Sequence, residues 1–258
     1  MKLNINKTST LMGLVLIGAS YGTAVTAEIV REERDVSGFE AVVVSGTGRL
    51  ELTQGREESL LIEADDDVLD KITTRVEDGV LHIGRESSSW FSFGRSKPIV
   101  YHLQFITLNS LSLSGSVKAV ADEVTSDSLS IRVSGSGGLS FKELHTRELT
   151  AAVSGSGSVK VDSLEADEVD ARISGSGSIN IGGQASQQRI RISGSGDYLA
   201  QNLEGDAVNA RITGSGRAHV WANEALDVRI SGSGGLRYRG EPTVSEKLSG
   251  SGKIRRAD

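Results

Sequence analysis

The 258-residue chain contains no cysteine and only two prolines. Without thiols there is no disulfide, no thiolate nucleophile, no cysteine-ligated metal and no acylated lipoprotein terminus. Stability must therefore come from burial and hydrogen bonding. Aromatic residues are scarce, eleven in all. A basic excess is missing too: 28 Lys and Arg stand against 34 Asp and Glu, for a net charge of −6. That balance argues against nucleic acid as a partner.

Long apolar stretches are confined to the start. Met1–Ala27 has a basic opening (Lys2, Lys7), an apolar run from Leu11 to Ile17 and a small-residue end with Val25 and Ala27 before a cut. That is the layout of a secretory signal peptide. The run is shorter than the roughly 20 residues of a membrane anchor and is broken by Gly18, Ser20, Gly22 and Thr23. Removing it leaves 26 basic and 34 acidic residues, about −8, with no later segment long and apolar enough to span a bilayer. The expectation is export to the periplasm, the cell surface or the medium.

Glycine, by contrast, is abundant at 31 residues, and much of it is periodic. Ser/Thr-Gly-Ser-Gly begins at Ser134, Ser154, Ser174, Ser193, Thr213, Ser231 and Ser249, in steps of 20, 20, 19, 20, 18 and 18. A degenerate copy starts at Ser114 and an earlier relative at Ser45. Alternating apolar residues flank each motif: Leu129, Ile131, Val133 before the first, Leu139 and Phe141 after it. Period-two alternation marks strands with one buried face. An antiparallel meander needs no fixed chain period, whereas a parallel coil must return to the same place each turn. The constant period thus predicts an all-β fold, a right-handed parallel β-helix of about eleven coils, with glycine corners stacking and serine hydroxyls bonding nearby backbone. After the leader, 28–258 reads as a single β-helix domain, with irregular early coils over 35–120 and regular coils over 121–254.

RDVSGFEAVVVSGTGRLELTQG, VEDGVLHI, the SGSG series and GEPTVSEKLSGSGKI together carry a resemblance. In that order they resemble the head GIN domain of auto-transporter adhesins, a bacterial family of unknown function, from about Asp35 to Ile254. The resemblance implies an exported right-handed β-helix with an adhesin-like role. It transfers no catalytic residues.

Enzymatic signatures are sparse. The acidic run Glu63, Asp65, Asp66, Asp67, Asp70 lacks the spacing of a calcium loop and reads as a solvated corner. His82, His102, His145 and His219 are scattered, and SGSG is neither a GxSxG elbow nor a phosphate cradle. No catalytic, cofactor-binding or metal residue is assigned.

Two features rise above this background. Two residues before each full motif stand Arg132, Ala152, Arg172, Arg191, Arg211, Arg229 and Lys247. Stacked in register, the six basic residues form an outward column at steps of about 4.8 Å. Nearby acids (Asp170, Asp227, Glu148, Asp167, Glu168, Asp206) either compensate it or leave a stripe for anionic glycan, lipopolysaccharide phosphate or an acidic envelope protein. The second feature is Trp90, Phe91 and Phe93, in a Ser-rich loop that either packs back on the early coils or contacts a partner. The functional expectation is a non-catalytic, adhesin-like binding module. The alternative is a self-assembling envelope protein, a homo-oligomer joined through strand edges, with the C-terminal KIRRAD discouraging pairing at that end and no such block at the other. A polysaccharide-active enzyme is the third reading.

Overall fold

The computed structural model describes residues 29–85 and 98–257; Met1–Ala27, expected to be a leader, and Trp90, Phe91 and Phe93 lie outside them. The described residues form a β-solenoid, 78% of them in strands, with about seven turns at roughly twenty-residue spacing. The strands are β1 (Ile29–Arg34), β2 (Ala41–Gln54), β3 (Ser59–Asp65), β4 (Ile72–Glu77), β5 (Val80–Arg85), β6 (Val100–Phe105), β7 (Ser110–Gly135), β8 (Gly138–Gly155), β9 (Ser158–Gly175), β10 (Ser178–Gly194), β11 (Asp197–Glu204), β12 (Ala207–Gly214), β13 (Arg217–Trp221), β14 (Ala225–Gly232), β15 (Gly235–Arg239), β16 (Thr243–Gly250) and β17 (Lys253–Arg256). From β7 onward every pairing between these strands is parallel, coil upon coil. The alternation keeps its promise: Leu129, Ile131 and Val133 point inward and are buried, as are Leu149, Ala151, Val153 and their successors. Each fully buried Leu, Ile or Val contributes about 1.5–3 kcal/mol through removal from water.

The glycine corners have two separate causes. At Gly135, Gly155, Gly175, Gly194, Gly214 and Gly232 φ lies between 104° and 118°, closed to ordinary L-residues. A Cβ there would come within 2.5–2.7 Å of the carbonyl oxygen of the glycine one coil below. The second glycine of each motif is excluded by proximity alone: a Cβ on Gly157, Gly177, Gly196, Gly216 or Gly234 would lie 2.6–2.8 Å from a glycine carbonyl of the preceding coil. That closeness lets Ser156 N donate to Gly135 O at 2.9 Å and Ser158 N to Gly137 O at 3.0 Å. The nineteen-residue step is absorbed locally. Ile181 pairs with Val161 but Gly183 with Leu164, so β10 spends one residue fewer at Gly182–Gly183.

The early segment departs from expectation. Val42 and Val44 of β2 lie between β5 and β7, and Leu50 and Leu52 between β6 and β7, all parallel. Outside these run antiparallel strands: β3 on β6, β1 on β3, and β4 on β5 through a turn at Asp78 and Gly79, both with positive φ. The chain doubles back there, so about seven turns form in place of eleven. The outermost strands carry Arg31, Glu32, Glu33, Arg34, Arg75 and Glu77, so the N-terminal end, expected to lack a block, has charged antiparallel edges. The acidic run is also more ordered than a solvated corner. Asp65 is buried and its carboxylate accepts from Asp67 N at 3.3 Å, capping the one-turn helix α1 (Asp66–Leu69). At the other end, Val244 and Leu248 of β16 are 37% and 42% exposed. Glu246 stands between them, stacked on buried Val228.

Candidate ligand-binding face

The strand before each SGSG corner repeats its register without slippage. Arg132 pairs with Ala152, Ala152 with Arg172, Arg172 with Arg191, Arg191 with Arg211, Arg211 with Arg229, and Arg229 with Lys247. All six basic residues are exposed. The column is real, with Ala152 as its gap.

Compensation along it is uneven. Asp170, only 16% exposed, accepts from Arg172 Nη2 at 2.7 Å and from Arg191 Nη1 at 3.2 Å. Asp227 accepts from Arg229 Nη2 at 3.2 Å. Glu168 engages Arg189 in the neighbouring column. Arg132, Arg211 and Lys247 have no ion pair among the described residues. Asp170 lies two residues before Arg172, on the side away from Ser174. Its bonds hold two guanidiniums on that side, and a channel runs between the arginines and the motif serines.

That channel is a depression of about 330 Å³ crossing four coils. Arg172, Arg191 and Arg211 form one wall, Ser154, Ser174, Ser193 and Thr213 the other, and Ala152 opens one end. The hydroxyls are not used by the fold. Contrary to the expectation of backbone bonding, no motif serine side chain makes a hydrogen bond among the described residues. Corner glycines make the backbone bonds, and the hydroxyls face outward. Counting motif positions locates the arginines but not this: the serines read as architectural.

A second, larger depression of about 690 Å³ follows the polar corner and was not foreseen. Its floor is a column of small residues, Ser126, Thr146, Ala166, Ala185 and Gly205. Its rims largely satisfy themselves: His145 Nδ1 meets Glu165 at 3.1 Å, Arg147 meets Asp127 at 3.8 Å, and Asn223 donates to Glu204 at 3.0 Å. The remaining histidines do not converge. His102 bridges Glu51 and Glu63 at 3.1 and 3.4 Å, joining β2, β6 and β3. His219 has a lowered pKa, first from burial and then from Arg237 and Arg217, with Asp197 opposing. Among the described residues no group of His, Asp and Glu is placed to hold a metal ion.

Residues 38–242, most of the chain, match the family described as "Putative auto-transporter adhesin, head GIN domain". The chain belongs to that family. Solved structures of similar fold lie close to it. A "Putative lipid binding protein" from Parabacteroides distasonis superposes with a TM-score of 0.84 at 23% identity, over 90% of this chain and 98% of that one. A "putative adhesin" from Parabacteroides merdae gives 0.84 at 22% identity over the same shares. A further "putative adhesin", from Bacteroides fragilis, gives 0.66 at 22%, again over 90% and 98%. These likenesses establish the solenoid fold. No curated protein matches the chain.

Proposed function

We propose that this head GIN domain is an exported, non-catalytic binding module of adhesin type. Its ligand face is the column Arg132, Arg172, Arg191, Arg211, Arg229 and Lys247 with the hydroxyl ladder beside it. The ligand is an anionic glycan or lipid phosphate of the envelope. The observation that carries this reading is the register itself. Arg172, Arg191, Arg211 and Arg229 stack one per coil, and Asp170 and Asp227 answer only part of their charge. Like charges so placed repel one another, a cost that a bound polyanion relieves. The family description supports binding over catalysis and an exported location, and the Met1–Ala27 leader pattern agrees with the latter. No helix among the described residues is long and apolar enough to cross a membrane.

The test compares retention on immobilised polyuronate, on vesicles containing anionic phospholipid, and on neutral glucan. The wild type should be held by an anionic surface and released by salt. Arg172→Gln/Arg191→Gln/Arg211→Gln should pass through, with an unchanged circular dichroism spectrum. Equal retention of the two proteins overturns the assignment.

A further inference from the structure

We infer that the ligand of this face is a linear hexuronate chain lying along the solenoid axis, one sugar to each coil. The inference rests on the anionic-ligand reading above and gives that ligand a shape.

The channel's direction comes first. It touches four successive coils at equivalent positions, from Ser154 to Thr213, and so runs across the strands for roughly 14 Å. A compact anion such as a single phosphate meets one or two of these positions. A polymer meets the same chemistry at each step, because the coils repeat. The coil step of about 4.8 Å is close to the advance of one residue in an extended 1,4-linked pyranose chain. Small differences accumulate slowly over four coils and fall within the reach of an arginine side chain.

The two unlike walls come next. Arg172, Arg191 and Arg211 stand along one side; along the other stand Ser154, Ser174, Ser193 and Thr213, whose hydroxyls have no hydrogen-bond partner among the described residues, and the surface between is mostly apolar. In a flat two-fold chain, successive carboxylates project to opposite sides. One set then faces the guanidiniums and pairs as charge-assisted hydrogen bonds. The other set accepts from the hydroxyl ladder. Between the walls, arginine stems and Ala152 offer an apolar strip for the ring faces.

Asp170 completes the arrangement as a positioning residue. A guanidinium has five N–H donors. Asp170 engages one amino group each of Arg172 and Arg191, leaving the others for ligand. Arg211 has no acid partner among the described residues, so it is the strongest single anchor.

The experiment is a size ladder of β-1,4-linked oligomannuronates, titrated calorimetrically against the intact chain. Affinity should rise about threefold per added residue, as expected of exposed ion pairs, and level off at four to five residues. Excising residues 156–175, one whole coil carrying Arg172 and Ser174, should move the plateau down by one sugar. Circular dichroism checks the shortened protein, and Arg211→Gln, which alters no coil, should lower the tetramer's affinity roughly tenfold. A plateau that stays put on coil excision, or mannuronate monomer competing as well as tetramer, overturns the axial chain while leaving an anionic face intact. If no mannuronate of any size binds but anionic vesicles do, the ligand is a headgroup and the hexuronate assignment is wrong. If neither binds, the anionic reading fails with it.

Discussion

Arg191 and Arg211 occupy matched positions on successive coils, yet only Arg191 has a carboxylate partner. Arg211 therefore lies between two cations, Arg191 and Arg229, with no ion-pair partner among the described residues. In the free protein, Arg211→Gln should be neutral to slightly stabilising, by a few tenths of a kcal/mol, because directly opposed like charges are unfavourable. Salt should erase the gain. Thermal melts at low and high ionic strength check this, and a clear destabilisation at both would mean that the Arg211 stem is needed for packing.

Gly155 and Gly79 both have positive φ, but only Gly155 is crowded. Gly155→Ala places a methyl 2.7 Å from the Gly135 carbonyl oxygen and breaks the corner stack. It should cost roughly 3 kcal/mol. Gly79→Asn, in an open turn with nothing within 4 Å, should cost less than about 1 kcal/mol. Urea unfolding of both variants compares them, and equal losses would contradict the stacking argument.

Inside the solenoid the Tyr198 hydroxyl donates to Gln188 Oε1 at 3.2 Å, and Gln188 Nε2 donates to Leu203 O at 3.2 Å. Burial holds the Tyr198 phenol well above the ordinary tyrosine range. Tyr198→Phe leaves a buried acceptor unmet and should cost about 1–2 kcal/mol. Adding Gln188→Leu should recover part of that loss, since the position belongs to an otherwise apolar column (Leu149, Val169, Val208). Losses that simply add would show that the two side chains are not coupled.

His219 has its pKa lowered by burial and by Arg237 and Arg217, against the pull of Asp197. The unfolded chain then binds the proton more readily than the folded one. His219 thus contributes stability that is full above the unfolded value of about 6.5 and is lost as pH falls through the folded value. Between about pH 7.5 and about pH 5.5, His219→Gln should lose less stability than the wild type. Parallel melts at the two pH values decide it; equal slopes would mean that the proton is bound alike in both states.

Glu246 occupies the inward column above Val228, flanked by exposed Val244 and Leu248. A second solenoid stacked there would bury its carboxylate unpaired, which is costly. Glu246→Val should therefore turn the end adhesive and produce concentration-dependent association. Sedimentation velocity over a dilution series reads this, and a variant that stays monomeric throughout would show that Glu246 is not the barrier.

How much of this was legible depends on what repeats. The solenoid is readable because Leu129, Leu149 and Val169 return to one place, and a parallel coil is the arrangement that demands such a return. The early segment is less so: β3 and β4 reverse direction, and antiparallel pairs leave no mark in the chain period. The cation column follows from counting back from each motif. The channel beside it does not, because it depends on how the side chains of Arg172, Arg191 and Arg211 lie across the coils. Nor does the freedom of the motif hydroxyls, since serine beside glycine reads equally as a hydrogen-bonded corner.

The single residue missing from β10 is taken up at Gly182–Gly183, while Arg172, Arg191 and Arg211 keep their matched pairing. Small insertions and deletions in the gene can thus accumulate around one side of the molecule and stay silent on the other. Gain or loss of a whole repeat by recombination would instead lengthen or shorten the exposed ladder by one rung. The same gene could in this way give rise to proteins of graded reach without redesign of the interior.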